Sequence, residues 1–270
     1  MISCRMVTDL DEPELLVYHG LNEAQLKHYY EPHGGLFICE SPKVIRRALQ
    51  AGYEPVSLLV ENTQKIKENQ DIFTKCKEVP VFEAPKKTLE KITGYYLTDG
   101  MLCAMKRKDL LPAKTLCENA SRIAVLMDIE NPTNIGSIFR NAAALKMDAV
   151  LLSSGCSDPL YRRAARVSVG TVFQIPWTFL KEEEKVPAVL TDMGYQTAAL
   201  ALSPSAEAID HSSARKEEKL AILLGNEEHG LAPDVIKNSD HTVIIPMTEG
   251  VDSLNVAAAS AIAFWELRKR

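Results

Sequence analysis

The sequence IPMTEGVDSLNVAAASAIAFWELRKR, residues 245–270, decides the fold because it joins the end of an apolar strand to an alanine-rich helix. We expect the strand to end at Met247 and a polar loop to run from Thr248 to Asn255. Ser253 and Asn255 are natural caps for the helix that follows. The alanines at positions 257, 258, 259, 261 and 263 leave little side-chain bulk. The stretch therefore predicts a ligand-holding loop and a helix on which another segment packs closely.

The preceding sequence predicts two α/β domains. From Ile123 onward, apolar runs of strand length alternate with segments of helix length, which is typical of a mostly parallel sheet covered on both faces. These runs include IAVLMDI, DAVLLS, QTAALAL, KLAILLG and HTVIIPM. The first third alternates in the same way, from GLFICE and SPKVIRRALQAG to PKKTLEKITG. We therefore predict a small α/β domain in residues 1–105, a linker in 106–120 and a parallel-sheet domain in 121–270.

Ligands bind at the carboxyl ends of the strands in such a sheet, so the loops after strands are the places to search. The first strand of the second domain is followed by NPTNIGSIFR. Here we expect Asn134 to cap a helix that begins near Ile135. Arg140 lies little more than a helical turn beyond Gly136, so both are expected to face the same space. The pattern lacks the glycine fingerprint of dinucleotide-binding folds.

A second such loop, NEEHG, follows the strand KLAILLG. Two adjacent carboxylates and a histidine are compatible with acid–base chemistry or a metal. Glu228 and His229 lack further ligands nearby and are more simply explained as a polar turn. Glu227, two residues beyond the strand, is the better functional candidate.

The composition is that of a soluble globular protein, with 46% hydrophobic and 25% charged residues. No apolar run reaches the length of a membrane helix, and acidic residues follow the start closely, where a signal peptide would be apolar. We therefore expect a cytoplasmic protein without a membrane partner. Six cysteines lie far apart with no histidine at ligand spacing, so we expect reduced thiols and no metal.

The net charge of −5 argues against indiscriminate binding of nucleic acid, but it allows a local basic face. Each basic cluster is also compatible with an ordinary solvated surface. The clusters are Lys43, Arg46 and Arg47; Lys106, Arg107 and Lys108; and Arg162, Arg163 and Arg166.

Three stretches, NPTNIGSIFRNAAA, LLGNEEHGL and IPMTEGVDSLNVAAASAIAF, together resemble the three motifs of the SpoU (TrmH-like) family of RNA ribose 2'-O-methyltransferases in the SPOUT superfamily. The resemblance spans residues 121–270. The first third looks like the small α/β RNA-binding domain, related to a ribosomal-protein fold, that many members carry. The resemblance implies a deep trefoil knot at the carboxyl end, whose loops hold S-adenosylmethionine, and an obligate homodimer with the active site near its interface. It implies no metal.

The family's functional positions can be transferred to matching residues. The positions that contact the methyl donor are Gly225, Ile245 and Leu254, with Met247 lining the same pocket; the polar active-site positions are Asn134, Arg140, Glu227, Ser253 and Asn255. Arg140 is often assigned as the base in this family, but a guanidinium is hard to deprotonate. We expect it instead to grip the adjacent phosphate and to favour the developing alkoxide, with Glu227 orienting its own loop or Arg140. One departure is Ala257, where many members have serine.

The expected substrate is ribosomal RNA, with Lys43, Arg46 and Arg47 of the first domain as candidate contacts. Alternatives with the same chemistry are a transfer-RNA methyltransferase and a methyltransferase that protects ribosomal RNA from an antibiotic. An alternative of another class is a non-catalytic RNA-binding dimer that has kept the knot. A dehydrogenase is the weakest alternative because the glycine fingerprint is missing.

Overall fold

The structure is a computed structural model that describes residues 4–32, 34–181, 186–248 and 253–269. The chain forms two compact units. Unit 1 consists of Met1–Asp109 together with Leu160–Phe173, and unit 2 consists of Leu110–Pro159 together with Gln174–Arg270.

The strands are β1 (Cys4–Met6), β2 (Leu36–Glu40), β3 (Pro55–Val60), β4 (Val81–Glu83), β5 (Met101–Lys106), β6 (Arg122–Leu126), β7 (Ala149–Leu152), β8 (Trp177–Phe179), β9 (Gln196–Leu200), β10 (Glu207–Ala208), β11 (Leu220–Leu224) and β12 (His241–Ile244). The helices are α1 (Leu16–His19), α2 (Glu23–Lys27), α3 (Pro42–Gln50), α4 (Thr63–Glu68), α5 (Gln70–Lys75), α6 (Lys86–Thr93), α7 (Ala113–Leu116), α8 (Pro132–Ala144), α9 (Arg162–Val167), α10 (Val186–Asp192), α11 (Pro233–Lys237) and α12 (Val256–Leu267).

Unit 1 contains a mixed sheet in the order β1-β4-β3-β5-β2, in which β5 runs antiparallel to both of its neighbours. Its β2 and β5 strands are apolar and almost wholly buried. One face of the sheet packs on a core that includes Leu15, Leu26, Leu36, Leu59, Leu89 and Leu102. The prediction of an α/β fold in the first third is therefore confirmed.

Unit 2 contains a seven-stranded, wholly parallel sheet in the order β10-β12-β9-β11-β6-β7-β8. Its central strands β6 and β11 are buried along their whole length, as expected for a sheet covered on both faces. Because the strands are parallel, the loops after β6, β9, β11 and β12 all leave from the same edge. The predicted parallel α/β fold is confirmed, although β12 ends at Ile244, so Ile245 and Met247 belong to the loop.

The segment Leu160–Phe173 lies in unit 1, whereas we predicted it as part of the second domain. The Phe173 ring packs against Phe37 and Tyr53, at centroid distances of 5.7 and 5.2 Å. The backbone carbonyl of Val169 accepts a hydrogen bond from Arg47 Nη1 at 2.7 Å. The sequence pattern did not reveal this assignment because the partners of these residues are more than a hundred positions away.

The predicted linker, residues 106–120, is also structured. It begins at the last residue of β5 and contains α7. Cys117 and Ala120 are buried in the core of unit 2. Their carbonyls accept hydrogen bonds from the hydroxyl of Tyr195, at 3.2 and 2.7 Å. The boundary between the units therefore falls between Asp109 and Leu110, and the polar sequence beyond it belongs to unit 2.

A buried arginine, Arg122, anchors the carboxyl-terminal helix of unit 2. Its Nε donates to the carbonyl of Leu267 at 2.9 Å, where α12 ends. Its Nη1 and Nη2 donate to the carbonyls of Glu218 and Glu217, at 3.0 and 2.6 Å, directly before β11. Carbonyl oxygens at the end of a helix lack partners within the helix, so a cation is favourable there.

The six cysteines are free, and all but Cys4 are buried. Burial raises the pKa of the Cys39 and Cys103 thiols, which keeps them protonated and unreactive. Within the parts of the chain that the structure describes, no helix has both the length and the apolar character needed to cross a bilayer.

Removal of residues 1–109 tests the role of the Leu160–Phe173 segment. We expect the remaining chain to aggregate, because Phe173, Ala164 and Ala165 would lose the apolar partners that bury them. A second truncated chain, in which Gly and Ser also replace residues 160–173, should be more soluble. Size-exclusion chromatography distinguishes the two chains, and equal solubility would show that this segment does not depend on unit 1.

Candidate functional site

A cavity of ≈490 Å³ opens at the carboxyl edge of the unit 2 sheet. This volume is within the range of about 300–1,000 Å³ that is usual for small-molecule sites. Its walls come from the loops after β9, β11 and β12, namely residues 200–202, 225–231, 245, 247 and 253–256. All four predicted donor-contacting residues, Gly225, Ile245, Met247 and Leu254, line this cavity.

The loop after β11 needs glycine at position 225 because two backbone segments come close together there. A Cβ atom on Gly225 would lie 2.3 Å from the carbonyl carbon of Gly230. Asn226 and Gly230 exchange backbone hydrogen bonds of 3.0 Å in both directions. The Asn226 Oδ1 accepts from the N–H groups of Glu228 and His229. The loop is therefore a tight turn, in which Glu227 is exposed.

The Glu227 carboxylate contacts the amino end of α8. Its Oε1 accepts from Asn134 Nδ2 at 2.8 Å and from the Asn131 N–H at 3.3 Å, and its Oε2 accepts from the Glu130 N–H at 3.4 Å. A negative charge is favourable at a helix amino end, where N–H groups lack partners within the helix. Glu227 thus orients the loop before α8, and its hydrogen bonds go to that loop and to Asn134 instead of Arg140.

The expected capping role of Asn134 is wrong, because α8 begins three residues earlier. Asn131 is the N-cap, and its side chain accepts from the Thr133 N–H at 2.8 Å. Pro132 takes the first helical position, where a missing N–H costs nothing. Asn134 therefore lies in the first turn, with only 7% of its surface exposed, and its amide is free to bind Glu227.

Asn255 joins the third loop to this arrangement. It caps α12 as expected, accepting from the Ala257 N–H at 2.9 Å. Its Nδ2 donates to Asn134 Oδ1 at 3.2 Å. A hydrogen-bonded chain thus runs from Glu227 through Asn134 to Asn255. Ser253 is exposed and lines the cavity, and among the described residues it forms no hydrogen bond.

Arg140, like Ser253, takes no part in this hydrogen-bonded chain. It is exposed, whereas Gly136 is buried. The expectation that the two face the same space stays a prediction. Along the helix axis Arg140 is about 9 Å from Asn134, at 1.5 Å per residue. It does not line the cavity, and it forms no hydrogen bond or ion pair within the described ranges.

Helix α12 packs directly on α8, as its alanine content indicated. Asn141 Nδ2 donates to the carbonyl of Ala257 at 2.8 Å and to Ser260 Oγ at 2.9 Å. Two residues were not predicted from the sequence: Asn141, which holds the two helices together, and Asn226, which shapes the turn. Residues 200–202 were not predicted either, although the rule that loops after strands hold ligands applies equally to the end of β9.

The three candidate RNA contacts in unit 1 differ in their availability. Lys43 is exposed. Arg46 binds Asp71 through two hydrogen bonds, of 2.6 and 2.8 Å, and also binds Asn69. Arg47 is bound to the Val169 carbonyl. Two of the three cations are therefore committed to acceptors within the protein.

The chain is similar to known proteins in sequence and in fold. The family model of the SpoU rRNA Methylase family matches residues 121–265. The chain is 33% identical, over 96% of its length and 90% of the relative's, to an uncharacterized tRNA/rRNA methyltransferase of Mycobacterium bovis. An rRNA methyltransferase from Sinorhizobium meliloti, crystallised with AdoMet bound, is similar in fold, with a TM-score of 0.83, 23% identity and coverage of 98% of this chain and 97% of the other. A crystal structure of an RNA 2'-O ribose methyltransferase has a TM-score of 0.76, 24% identity and 97% coverage of both chains.

The change Asn134→Asp tests the hydrogen-bonded chain. It replaces the amide donor with a second carboxylate against Glu227, so we expect the free energy of unfolding to fall by about 2 kcal/mol. Asn131→Asp is the matched control, since aspartate caps a helix as well as asparagine does. Urea unfolding measures both variants, and equal losses would show that the contact between Asn134 and Glu227 contributes nothing specific.

Proposed function

The chain belongs to the SpoU rRNA methylase family, and on that premise we propose that it transfers a methyl group from S-adenosylmethionine to a ribose 2'-hydroxyl of ribosomal RNA. The observation that carries the proposal is the hydrogen-bonded chain from Glu227 through Asn134 to Asn255, which joins all three motif loops beside the cavity. The similar protein with AdoMet bound supports the methyl donor, and the name of the similar 2'-O ribose methyltransferase supports the position of transfer.

The cavity fits a methyl donor that combines an adenine with a charged amino-acid tail. Its apolar lining, which includes Leu200, Leu224, Ile245 and Leu254, suits the flat face of a base. The close backbone approach at Gly225 leaves peptide groups, and no side chain, on that part of the wall. When bound there, S-adenosylmethionine supplies an already activated methyl group.

The protein then has to position the ribose hydroxyl and to stabilise the charge that develops as its proton leaves. Arginine keeps its proton at neutral pH, so Arg140 acts as a cation and not as a base. Its guanidinium would hold the phosphate next to the reacting ribose and favour the developing alkoxide, and the proton would leave to phosphate or water. Asn134 and Asn255 hold the loops in place, and Ser253, which is exposed at the cavity, is available to the substrate.

The proposed reaction selects RNA over DNA directly, because only RNA carries the hydroxyl that receives the methyl group. Ribosomal RNA is the proposed substrate, and unit 1 is the proposed selecting domain. Transfer RNA is the second candidate, and the name of the Mycobacterium bovis relative includes both.

We also propose a homodimer and the trefoil knot that the family implies. Helix α12 presents Ile262 and Trp265 on its exposed side, and Leu254 is exposed just before it. Apolar side chains grouped in this way favour association with another chain. A second copy also accounts for the position of Arg140, since an exposed arginine outside its own cavity is available to a partner's cavity.

The change Arg140→Ala tests the catalytic proposal. We expect loss of at least about a hundredfold in methyl transfer, as for removal of one group that stabilises transition-state charge. Donor affinity should stay unchanged, because Arg140 does not line the cavity. The measurement is transfer of labelled methyl from S-adenosylmethionine to total RNA of a strain lacking the gene, followed by nucleoside analysis, with donor binding by calorimetry.

Two results of that experiment would contradict the proposal. Label on a base instead of a 2'-O-methylated ribose would refute the position of transfer. Donor binding without transfer to free RNA or to ribosomal subunits would favour the non-catalytic RNA-binding dimer. Lys146→Ala, which removes an exposed cation of unit 2 just beyond α8, is the control for net charge.

Mixing two inactive variants tests whether Arg140 serves the partner's cavity. Gly225→Val should abolish donor binding because a Cβ at this position meets the backbone of Gly230. In a mixed dimer with Arg140→Ala, one site would combine an intact cavity with an intact arginine. Denaturing and refolding the two together should then restore about a quarter of the unaltered activity for a symmetric dimer. No recovery, with mixed dimers verified, would show that Arg140 serves its own cavity.

A further inference from the structure

A group of aromatic and basic side chains at the surface of unit 1 takes no part in the site described above. We call it the tyrosine patch, and it consists of Lys86, Tyr95, Tyr96, Arg162 and Arg166. Tyr95 and Tyr96 are 38% and 53% exposed, although both are large aromatic residues. The Lys86 Nζ lies 3.9 Å from the centroid of the Tyr96 ring, and the Arg166 guanidinium carbon lies 4.4 Å from that of Tyr95.

The tyrosine patch is organised by a buried carboxylate beneath it. Glu40, at the end of β2, is only 5% exposed. Its Oε2 accepts from Arg162 Nε at 3.1 Å and from the Tyr95 hydroxyl, and its Oε1 accepts from Arg166 Nη1 at 3.3 Å. One carboxylate therefore fixes two guanidinium groups and one tyrosine ring in a defined arrangement.

The charges of the tyrosine patch do not cancel. The side chains of Arg162 and Arg166 share the negative charge of Glu40, and Lys86 adds another positive charge. The Glu23 carboxylate accepts from the Arg162 backbone N–H at 2.8 Å, so three cations are accompanied by two carboxylates. The buried Nη2 of Arg162 has no hydrogen-bond partner among the residues that the structure describes. The surface thus combines exposed aromatic rings with an excess of positive charge, in a chain whose net charge is −5.

We propose that the tyrosine patch binds a single-stranded segment of the RNA substrate, with an unpaired base stacked on Tyr96 and backbone phosphates held by Lys86 and Arg166; this inference rests on the proposed function. Unpaired bases are recognised by stacking on aromatic side chains and on arginine, and nearby cations bind the phosphates. A paired helix offers no base face for stacking. The patch therefore selects a loop or an unpaired end in preference to a duplex.

Binding of a fluorescein-labelled 12-nucleotide single-stranded RNA of mixed sequence, followed by anisotropy, tests the inference. Tyr96→Ala should weaken binding about tenfold, since stacking of one base is worth roughly 1–3 kcal/mol. Tyr96→Phe keeps the ring and should bind like the unaltered chain. Tyr29→Ala is the matched control, because Tyr29 is 45% exposed in unit 1 and its ring packs on Tyr30.

The charge of the patch is tested in the same way. Lys86→Ala should weaken binding and reduce its dependence on salt, whereas Lys67→Ala, which removes an exposed cation from α4, should not. The same strand annealed to its complement should bind more weakly than the single strand. Urea unfolding of each variant verifies that the fold is intact.

Several outcomes would overturn the inference. These are equal affinity of Tyr96→Ala and the unaltered chain, equal losses for Tyr96→Ala and Tyr29→Ala, tighter binding of the duplex, or no binding of either RNA by the unaltered chain.

Methyl transfer, measured separately, distinguishes failure of the RNA-binding inference from failure of the proposed function. In one outcome, Tyr96→Ala loses RNA affinity while even the unaltered chain transfers no methyl group. That result would support RNA binding by the tyrosine patch and contradict the proposed methyl transfer. Methyl transfer by Tyr96→Ala with an unchanged KM for RNA would contradict RNA binding by the tyrosine patch. The proposed methyl transfer would then still stand.

Discussion

The arrangement of the site depends on one carboxylate, that of Glu227. It accepts hydrogen bonds from the loop before α8 and from Asn134 in the first turn of α8. Asn134 in turn binds Asn255 at the start of α12. In the sequence, Glu227 and Asn255 are 93 and 121 residues from Asn134, respectively. The carboxylate is favourable at the amino end of α8, where it accepts from the N–H groups of Glu130 and Asn131 just before the helix. The cavity keeps its shape because its walls belong to loops held in this way.

The same constraint explains why glycine, proline and asparagine recur in the motif loops. Gly225 allows the turn to close so tightly that Glu227 projects from it. Pro132 starts α8 one residue after its asparagine cap, which places Asn134 in the first turn and facing Glu227. Asn255 both caps α12 and binds Asn134. Gly225 and Pro132 thus set the local backbone, whereas Asn255 satisfies a local cap and a contact to a distant helix at the same time.

The parallel sheet and the three loops at one edge could be predicted from the sequence because both follow from local patterns. Apolar runs of strand length indicate buried strands, and the rule for carboxyl ends then identifies the loops. The assignment of Leu160–Phe173 to unit 1 could not be predicted, since it depends on contacts of Phe173 with Phe37 and Tyr53. The cap of α8 was misplaced because both Asn131 and Asn134 are good caps, and only the distant Glu227 shows which of them remains free.

The availability of a cation depends on the number of carboxylates around it, which a basic run in the sequence does not show. Lys43, Arg46 and Lys65 line a polar cavity of ≈300 Å³ together with Glu68 and Asp99, and Asp71 binds Arg46.

Three cations thus face three carboxylates at this polar cavity, so little charge remains to attract a phosphate. At the tyrosine patch, Glu40 pairs with the side chains of Arg162 and Arg166. Glu23 also lies there, accepting from the Arg162 backbone N–H at 2.8 Å. Two carboxylates thus accompany the three cations of the patch. An exposed ion pair contributes only about 0–1 kcal/mol, so pairing alone would not keep Arg46 from binding RNA. The excess of positive over negative charge differs more between the two groups. It favours the surface around Tyr95 and Tyr96 over the basic run in α3 as the place where RNA binds.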